Sequence, residues 1–276
     1  MTSIGFTGTL PRADHVGRVT QLRVAVSEWT KLRSVRSTRW SLFVAVVLTI
    51  GFPLLFAAVT GSHWSHMSLH ERANRHPLDI ALAGVNVSQL AIAVLGVLAV
   101  TAEYSTGMIR ASFTAVPKRL PVLWAKLGVF ALVSFVLSVP SVIVAFFASQ
   151  AILARKDILQ IAFSHPGVPR VMIGGALYVM LVGIFALGIG AIVRNTAGGI
   201  STFAGIFFVI PPLLNVLPTS WNNAISPWLP DAAGRSIFSL TTGAHSLHPA
   251  PGALLFVGYC AAAIAIAAVL LLRRDV

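Results

Sequence analysis

Six long apolar stretches constrain this chain more than any other feature, because each has the length of a helix that crosses a lipid bilayer. About 20 consecutive apolar residues are needed to span the hydrocarbon core as a helix. The fourth and fifth stretches are separated only by the sequence RNT, which predicts a tight turn between antiparallel neighbours. The six predicted spans cover residues 40–60, 80–101, 124–149, 171–193, 197–215 and 252–272.

The composition supports the same interpretation. Of the 276 residues, 56% are hydrophobic and only 10% are charged, whereas soluble domains carry about 25% charged residues. Too little polar surface is available to cover a water-soluble globule. We therefore predict an all-α polytopic membrane protein with a leader at 1–39 and a six-helix transmembrane domain at 40–276. No cleavable signal peptide is expected, since the first apolar stretch begins only near Trp40.

The positive charges predict the orientation. With six spans, both termini lie on one side, and fourteen Lys and Arg residues fall on that side against six on the other. The positive-inside rule then places the termini and the 102–123 connector in the cytoplasm of a multi-pass protein of the plasma membrane. The net charge of +12 does not indicate nucleic-acid binding, because the bases flank apolar segments and form no stripe with interleaved aromatic residues.

Three segments carry finer patterns. Leu22, Val26 and Trp29 lie on one face of a basic amphipathic helix in the leader, which predicts a helix in the membrane interface. The fifth span carries small residues at every fourth position, namely Ala197, Ser201 and Gly205, which predict a helix–helix contact either within the chain or across a dimer.

The first span contains Pro53 and the third span contains Pro140, and each proline predicts a kink in its helix.

The connector after the second span has the pattern of a short amphipathic helix. Tyr104, Met108 and Ala111 lie on one apolar face, Glu103 is placed at the helix start, and Pro117 ends it. From the residues alone, an ordinary loop at the membrane surface is the favoured interpretation of the segment.

The segment EYSTGMIRASFTAVPKRLPVLWAK, residues 103–126, resembles the cytoplasmic connector of the type-two, exporter-like class of ABC-transporter permeases. The signature of that connector is an acid, three residues, a glycine and a short hydrophobic-basic stretch. SEWTKLRSVRSTRW (27–40) is similar to the interfacial helix of actinobacterial members, and LPTSWNNAISPWLPDAAGRSIF (217–238) resembles their external re-entrant segment between helices five and six. The resemblance covers nearly the whole chain.

The resemblance implies that the connector is a coupling helix, which docks on a separate ATP-hydrolysing subunit. Two permeases, here a homodimer, and two ATPases form such a transporter, with ATP and Mg²⁺ bound by the ATPases. The residues that would form or position this contact are Glu103, Tyr104, Gly107, Met108 and Arg110.

The residues also indicate what the chain does not do by itself. No G-x-x-x-x-G-K-[ST] loop is present, so an ATP-driven process would depend on a partner. No enzymatic motif and no cofactor site are expected, and His63, His66 and His70 are interpreted as polar loop residues rather than metal ligands. The sequence predicts the permease subunit of an exporter for amphipathic, lipid-like or antibiotic substrates. The alternative is a membrane scaffold or sensor that recruits a cytoplasmic protein without moving cargo.

Overall fold

The computed structural model describes residues 20–73, 75–105, 119–156, 158, 160–241, 243 and 245–273. All regular structure in these ranges is helical, and six helical segments are long and apolar enough to cross a membrane. This confirms the predicted all-α class with six apolar helices. The α-helices are α1 (Gln21–Ser34), α2 (Arg36–His63), α3 (Leu69–Ala73), α4 (Pro77–Ser105), α5 (Arg119–Ala154), α6 (Val168–Val193), α7 (Thr196–Ala204), α8 (Ile210–Leu214), α9 (Thr219–Ile225), α10 (Pro230–Ser236) and α11 (Pro249–Arg273).

The long helices extend beyond the apolar stretches that predicted them. The largest extension is in α5, which contains 36 residues and is about 54 Å long at 1.5 Å per residue. A bilayer core is about 30 Å thick, so α5 projects well beyond it. Pro140 lies inside α5 and Pro53 inside α2, as the sequence predicts.

The fourth and fifth spans are joined by the predicted tight turn. Arg194 ends α6 in the left-handed conformation, with φ of 57°, and its N–H donates to the carbonyl of Gly190. Asn195 then caps α7 because its side-chain oxygen accepts the N–H of Gly198 at 2.9 Å. The fifth span continues from α7 through a π-helical turn, Gly205–Val209, into α8.

Helices α4 and α6 form the centre of the bundle. They are the most buried of the six candidate spans, and glycine allows their backbones to touch. A methyl group added at Gly96 would overlap the carbonyl oxygen of Gly183, and one added at Gly190 would lie 3.0 Å from the backbone of Val97. Small residues at a helix interface permit this approach.

The small residues of the fifth span do not lie on its buried face. Ala197 and Ser201 are exposed, and no described atom lies within 4 Å of a methyl group added at Gly205. The buried face of this span carries Phe203 and Phe207 instead. A contact within the described part of the chain, one of the two alternatives for this stripe, is therefore wrong. The other alternative, a contact across a dimer, stays a prediction.

Residues 217–238, the predicted external re-entrant segment, form the short helices α9 and α10 with a 3₁₀ turn, Ser226–Trp228, between them. Helix α10 packs against α11, where a methyl group added at Gly252 would overlap the hydroxyl of Ser236. The carbonyl of Ala233 on α10 also lies at this contact, 2.9 Å from the same added methyl group, and both Asp231 and Ala233 are buried. The described segment therefore has its own helical structure and is packed against the bundle.

Candidate functional site

The predicted coupling residues lie only partly within the described chain. Glu103 and Tyr104 belong to the last turn of α4, whereas Gly107, Met108 and Arg110 lie outside the described residues. Glu103 is therefore not at the start of a separate helix, and the expectation of a dipole-complementing acid there is wrong. An acid in the last turn of a helix faces the negative end of the dipole. Positive partners are needed to hold it there.

Two lysines supply those partners. Lys31 Nζ lies 2.9 Å from Glu103 Oε1 and 2.6 Å from Glu28 Oε1. Lys126 Nζ lies 2.9 Å from Glu103 Oε1 and 2.6 Å from Glu28 Oε2. Two carboxylates and two ammonium groups thus alternate in one closed arrangement of zero net charge. We call Glu28, Lys31, Glu103 and Lys126 the charge cluster.

Three of the four residues of the charge cluster are buried. Glu28 is 2% exposed, Glu103 4% and Lys126 9%, while the side chain of Lys31 is one-third exposed. Burial by itself lowers the pKa of the Lys31 ammonium, but hydrogen bonds to Glu28 and Glu103 outweigh it and raise that pKa above 10.5. Lys31 is therefore charged at neutral pH.

The cluster joins three elements of the fold. Glu28 and Lys31 come from α1, Glu103 from the end of α4, and Lys126 from the second turn of α5. The ends of α4 and α5 are the two flanks of the 106–118 connector. Both flanks are therefore fixed to the same helix of the leader. Apolar contacts among Val24, Val122 and Ala125 extend the α1–α5 interface beside the charges.

The face of α1 that carries Leu22, Val26 and Trp29 takes no part in the charge cluster. Leu22, Val26 and Trp29 are all about half exposed or more. At 100° per residue, they lie roughly opposite Glu28 and Lys31 on the helix. One face of α1 thus binds the protein and the other presents apolar side chains. The position of this second face in the membrane interface stays a prediction.

Tyr104 forms a second connection from the end of α4. The guanidinium carbon of Arg194 lies 5.1 Å from the centre of the Tyr104 ring, and Arg194 Nη2 donates to the carbonyl of Leu270 at 3.2 Å. One turn earlier, Thr196 donates a hydrogen bond of 2.8 Å to Thr101. The end of α4 is thereby linked to the α6–α7 turn and to α11.

A separate buried polar group joins α4, α6 and α10. The Tyr178 hydroxyl donates to Gln89 Oε1 and lies 3.5 Å from Asp231 Oδ1, while Arg235 Nε donates to Asp231 Oδ1 at 2.9 Å. Burial raises the pKa of the Asp231 carboxyl above its ordinary value, although Arg235 opposes this shift. These residues tie the short helix α10 to the central pair of helices.

Sequence reasoning missed Glu28, Lys31 and Lys126 as site residues. The available signals were an i,i+3 Glu–Lys pair on the face of α1 away from the apolar stripe, and a lysine inside the predicted third span. A charge within an apolar segment indicates a partner. The identity of that partner was not accessible, since Glu28 and Lys126 are separated by 98 positions.

The histidines do not combine into a metal site within the described ranges. No three His, Cys, Asp or Glu side chains come together there in a way that could hold a metal ion. His63 Nδ1 instead lies 3.0 Å from the carbonyl of Val59 in its own helix.

Comparison with known proteins adds no relative to this description. No protein-family model matches the chain, and no curated protein matches it either.

Proposed function

We propose that the chain is the permease subunit of an ABC exporter, driven by a separate ATPase that docks on a coupling helix within residues 103–119. The observation that carries this proposal is the charge cluster. It fixes both flanks of the connector to α1 through buried ion pairs of 2.6–2.9 Å. A segment that transmits force from a partner needs such rigid attachment at both ends.

The buried ion pairs suit a positioning role better than a stabilising one. Removing charges from water costs free energy that their mutual attraction only partly offsets, so such clusters add little net stability. They do fix geometry, because each charge requires its partners at hydrogen-bond distance. We infer that the cluster sets the orientation of the coupling helix. Glu103 and Tyr104 then position the helix, while Gly107, Met108 and Arg110 contact the ATPase.

The proposed transporter contains two copies of this chain and two ATPases. The small-residue stripe Ala197, Ser201 and Gly205 supports a contact between copies, because Ala197 and Ser201 are exposed and no described residue of the same chain covers Gly205. ATP and Mg²⁺ bind the ATPases. The proposed location is the plasma membrane with both termini in the cytoplasm, supported by the fourteen-to-six distribution of basic residues.

The proposed cargo is an amphipathic, lipid-like or antibiotic molecule. The six spans contain few charged side chains, and those of the charge cluster pair with one another. A path lined by such helices suits apolar or amphipathic cargo better than free ions or sugars. An ATPase activity stimulated only by small hydrophilic solutes would contradict this assignment.

The experiment that tests coupling combines co-purification with an ATPase assay. The chain is co-expressed with any Walker-A protein that a neighbouring gene encodes, and the complex is purified in lipid nanodiscs. Gly107→Trp should abolish co-purification and transport while membrane insertion is retained. Gly258→Trp is the matched control, because Gly258 is exposed in α11 and a methyl group added there has no described atom within 4 Å. Normal docking and transport by Gly107→Trp would reject the proposal.

The scaffold alternative makes a different prediction for the same complex. A scaffold would retain a cytoplasmic partner through the connector, but no compound in a broad panel would be moved into or out of proteoliposomes on addition of ATP. Vectorial, ATP-dependent movement of any compound favours the permease.

A further inference from the structure

An apolar groove with a basic rim lies between α1, α2 and α5. It encloses a cavity of about 350 Å³, which is at the lower end of the range for ligand pockets. Leu42 from α2 and Val133, Val136 and Leu137 from α5 form its walls, and every other lining residue except two arginines is also apolar. The cavity is therefore suited to a hydrocarbon chain rather than to a polar solute.

The two arginines lie on neighbouring helix ends. Arg33 is in the last turn of α1, and Arg39 is in the first turn of α2, just beyond the break at Val35. A second cavity, of about 450 Å³, adjoins the groove through Arg39 and is lined by Arg36, Arg39, Trp40 and Phe43. Within seven residues of chain, two arginines thus line the groove and a third, Arg36, lines the cavity beside it.

These three arginines carry positive charge that no described acidic side chain neutralises by an ion pair. In the described part of the chain, no acidic side chain forms an ion pair with Arg33, Arg36 or Arg39, and the nearby acid Glu28 is bound to Lys31 and Lys126. All three side chains belong to exposed residues. Guanidinium groups bind phosphate oxygens in a bidentate manner. The mouth of the groove is therefore complementary to a phosphate group.

The surroundings identify the source of that phosphate. Leu132 and Val136 on the α5 side of the groove are more than half exposed on a helix long and apolar enough to span the membrane, where lipid is the surrounding medium. Trp29 and Trp40 flank the arginines, and tryptophan is enriched at the headgroup level of membrane proteins. Basic pockets between membrane helices bind lipid headgroups.

We propose that this groove is a binding site for one anionic phospholipid. Arg33 and Arg39, with Arg36 beside them, bind the phosphate and its acidic headgroup, and one acyl chain lies between α2 and α5 against Leu42, Val133 and Val136. The bound lipid would sit beside α1, which carries half of the charge cluster. This inference does not depend on the transport proposal, because it concerns a lipid that stays bound.

The test is native mass spectrometry of the full-length protein released from nanodiscs that contain equal amounts of phosphatidylglycerol and phosphatidylethanolamine. The wild type should retain one phosphatidylglycerol in preference to phosphatidylethanolamine. An arginine beside an anionic lipid contributes about 1 kcal/mol, or about fivefold in affinity. The Arg33→Gln/Arg39→Gln variant should therefore lose about 25-fold in phosphatidylglycerol preference.

Two further variants separate the groove from general electrostatics. Arg23→Gln/Arg273→Gln removes the same charge from exposed positions outside the groove and should keep the wild-type preference. Val136→Phe leaves the charge unchanged but fills the cavity, so it should lower retention of both lipids. Equal loss in the two double-arginine variants, or an undiminished preference in Arg33→Gln/Arg39→Gln, would overturn the proposal. Thermal unfolding of each variant in detergent confirms that the protein remains folded.

Discussion

Lys126 is the residue that connects α5 to both acids of the charge cluster. Lys126→Met removes its ammonium group and leaves Lys31 as the one described cation that faces the two buried carboxylates. Breaking a buried ion pair on one side costs about 3–5 kcal/mol, because the remaining charge is uncompensated. We expect a comparable fall in the free energy of unfolding, measured as a lowered apparent Tm in detergent.

The control for Lys126→Met is Lys156→Met, which changes an exposed lysine two residues beyond the other end of α5. A surface substitution of this kind changes the free energy of unfolding by about 0.5 kcal/mol or less. The double variant Lys126→Met/Glu28→Gln should recover part of the loss, since it also removes one uncompensated carboxylate. Equal effects of the two lysine substitutions would show that the charge cluster is not closed.

Asp231 predicts a pH dependence of stability. Its pKa is raised in the folded protein by burial, so the folded state binds a proton more tightly than the unfolded state does. Stability from this group is then fully present below the ordinary pKa of about 3.8 and is lost as the pH rises through the raised pKa. As the pH falls from 7 toward 4, the wild type should gain apparent Tm relative to Asp231→Asn. A pH-independent difference between the two proteins would contradict the assigned direction.

Among the helices, the contact between α4 and α6 depends on the absence of a side chain at Gly96. Gly96→Ala places a methyl group against the carbonyl oxygen of Gly183, and overpacking of this kind costs about 1–3 kcal/mol. Gly258→Ala in α11 meets no described atom within 4 Å and should gain up to about 1 kcal/mol from helix propensity. We therefore expect Gly96→Ala to lower the apparent Tm and Gly258→Ala to raise it. Shifts of the same sign in the two variants would refute the close contact between α4 and α6.

The helices were more predictable than the contacts between them. Each span was visible as a local apolar stretch, and the α6–α7 turn could be predicted from three polar residues at 194–196. The start of α5 at Arg119 is not predictable in this way. The helix begins before the apolar stretch, and its early residue Lys126 is held by the distant residues Glu28 and Glu103. Likewise, the fifth span has small residues in a repeating pattern, but which helix face is buried depends on Phe203 and Phe207 and on their distant neighbours. A single sequence can indicate that a residue needs a partner, but it does not identify a partner that is distant in the chain.

For the whole molecule, the distribution of basic residues predicts the sidedness of the bundle. In a Cys260→Ser background, which removes the single cysteine of the chain, Ser34→Cys should react with a membrane-impermeant maleimide only after cells are permeabilised. Ser246→Cys, in the segment between α10 and α11, should react in intact cells. Both serines are exposed in the structure. The reverse labelling pattern would invert the orientation and remove the coupling proposal with it.

The length of α5 has a mechanical consequence. Arg119 lies 21 residues before Pro140, which corresponds to a lever arm of about 31 Å. A tilt of about 5° around the proline would therefore carry the Arg119 end sideways by about 3 Å. Lys126, two-thirds of the way along this arm from Pro140, would move α1 and the end of α4 together with it. A small change of angle at Pro140 and a displacement of a few ångströms at the connector would thus be parts of the same motion.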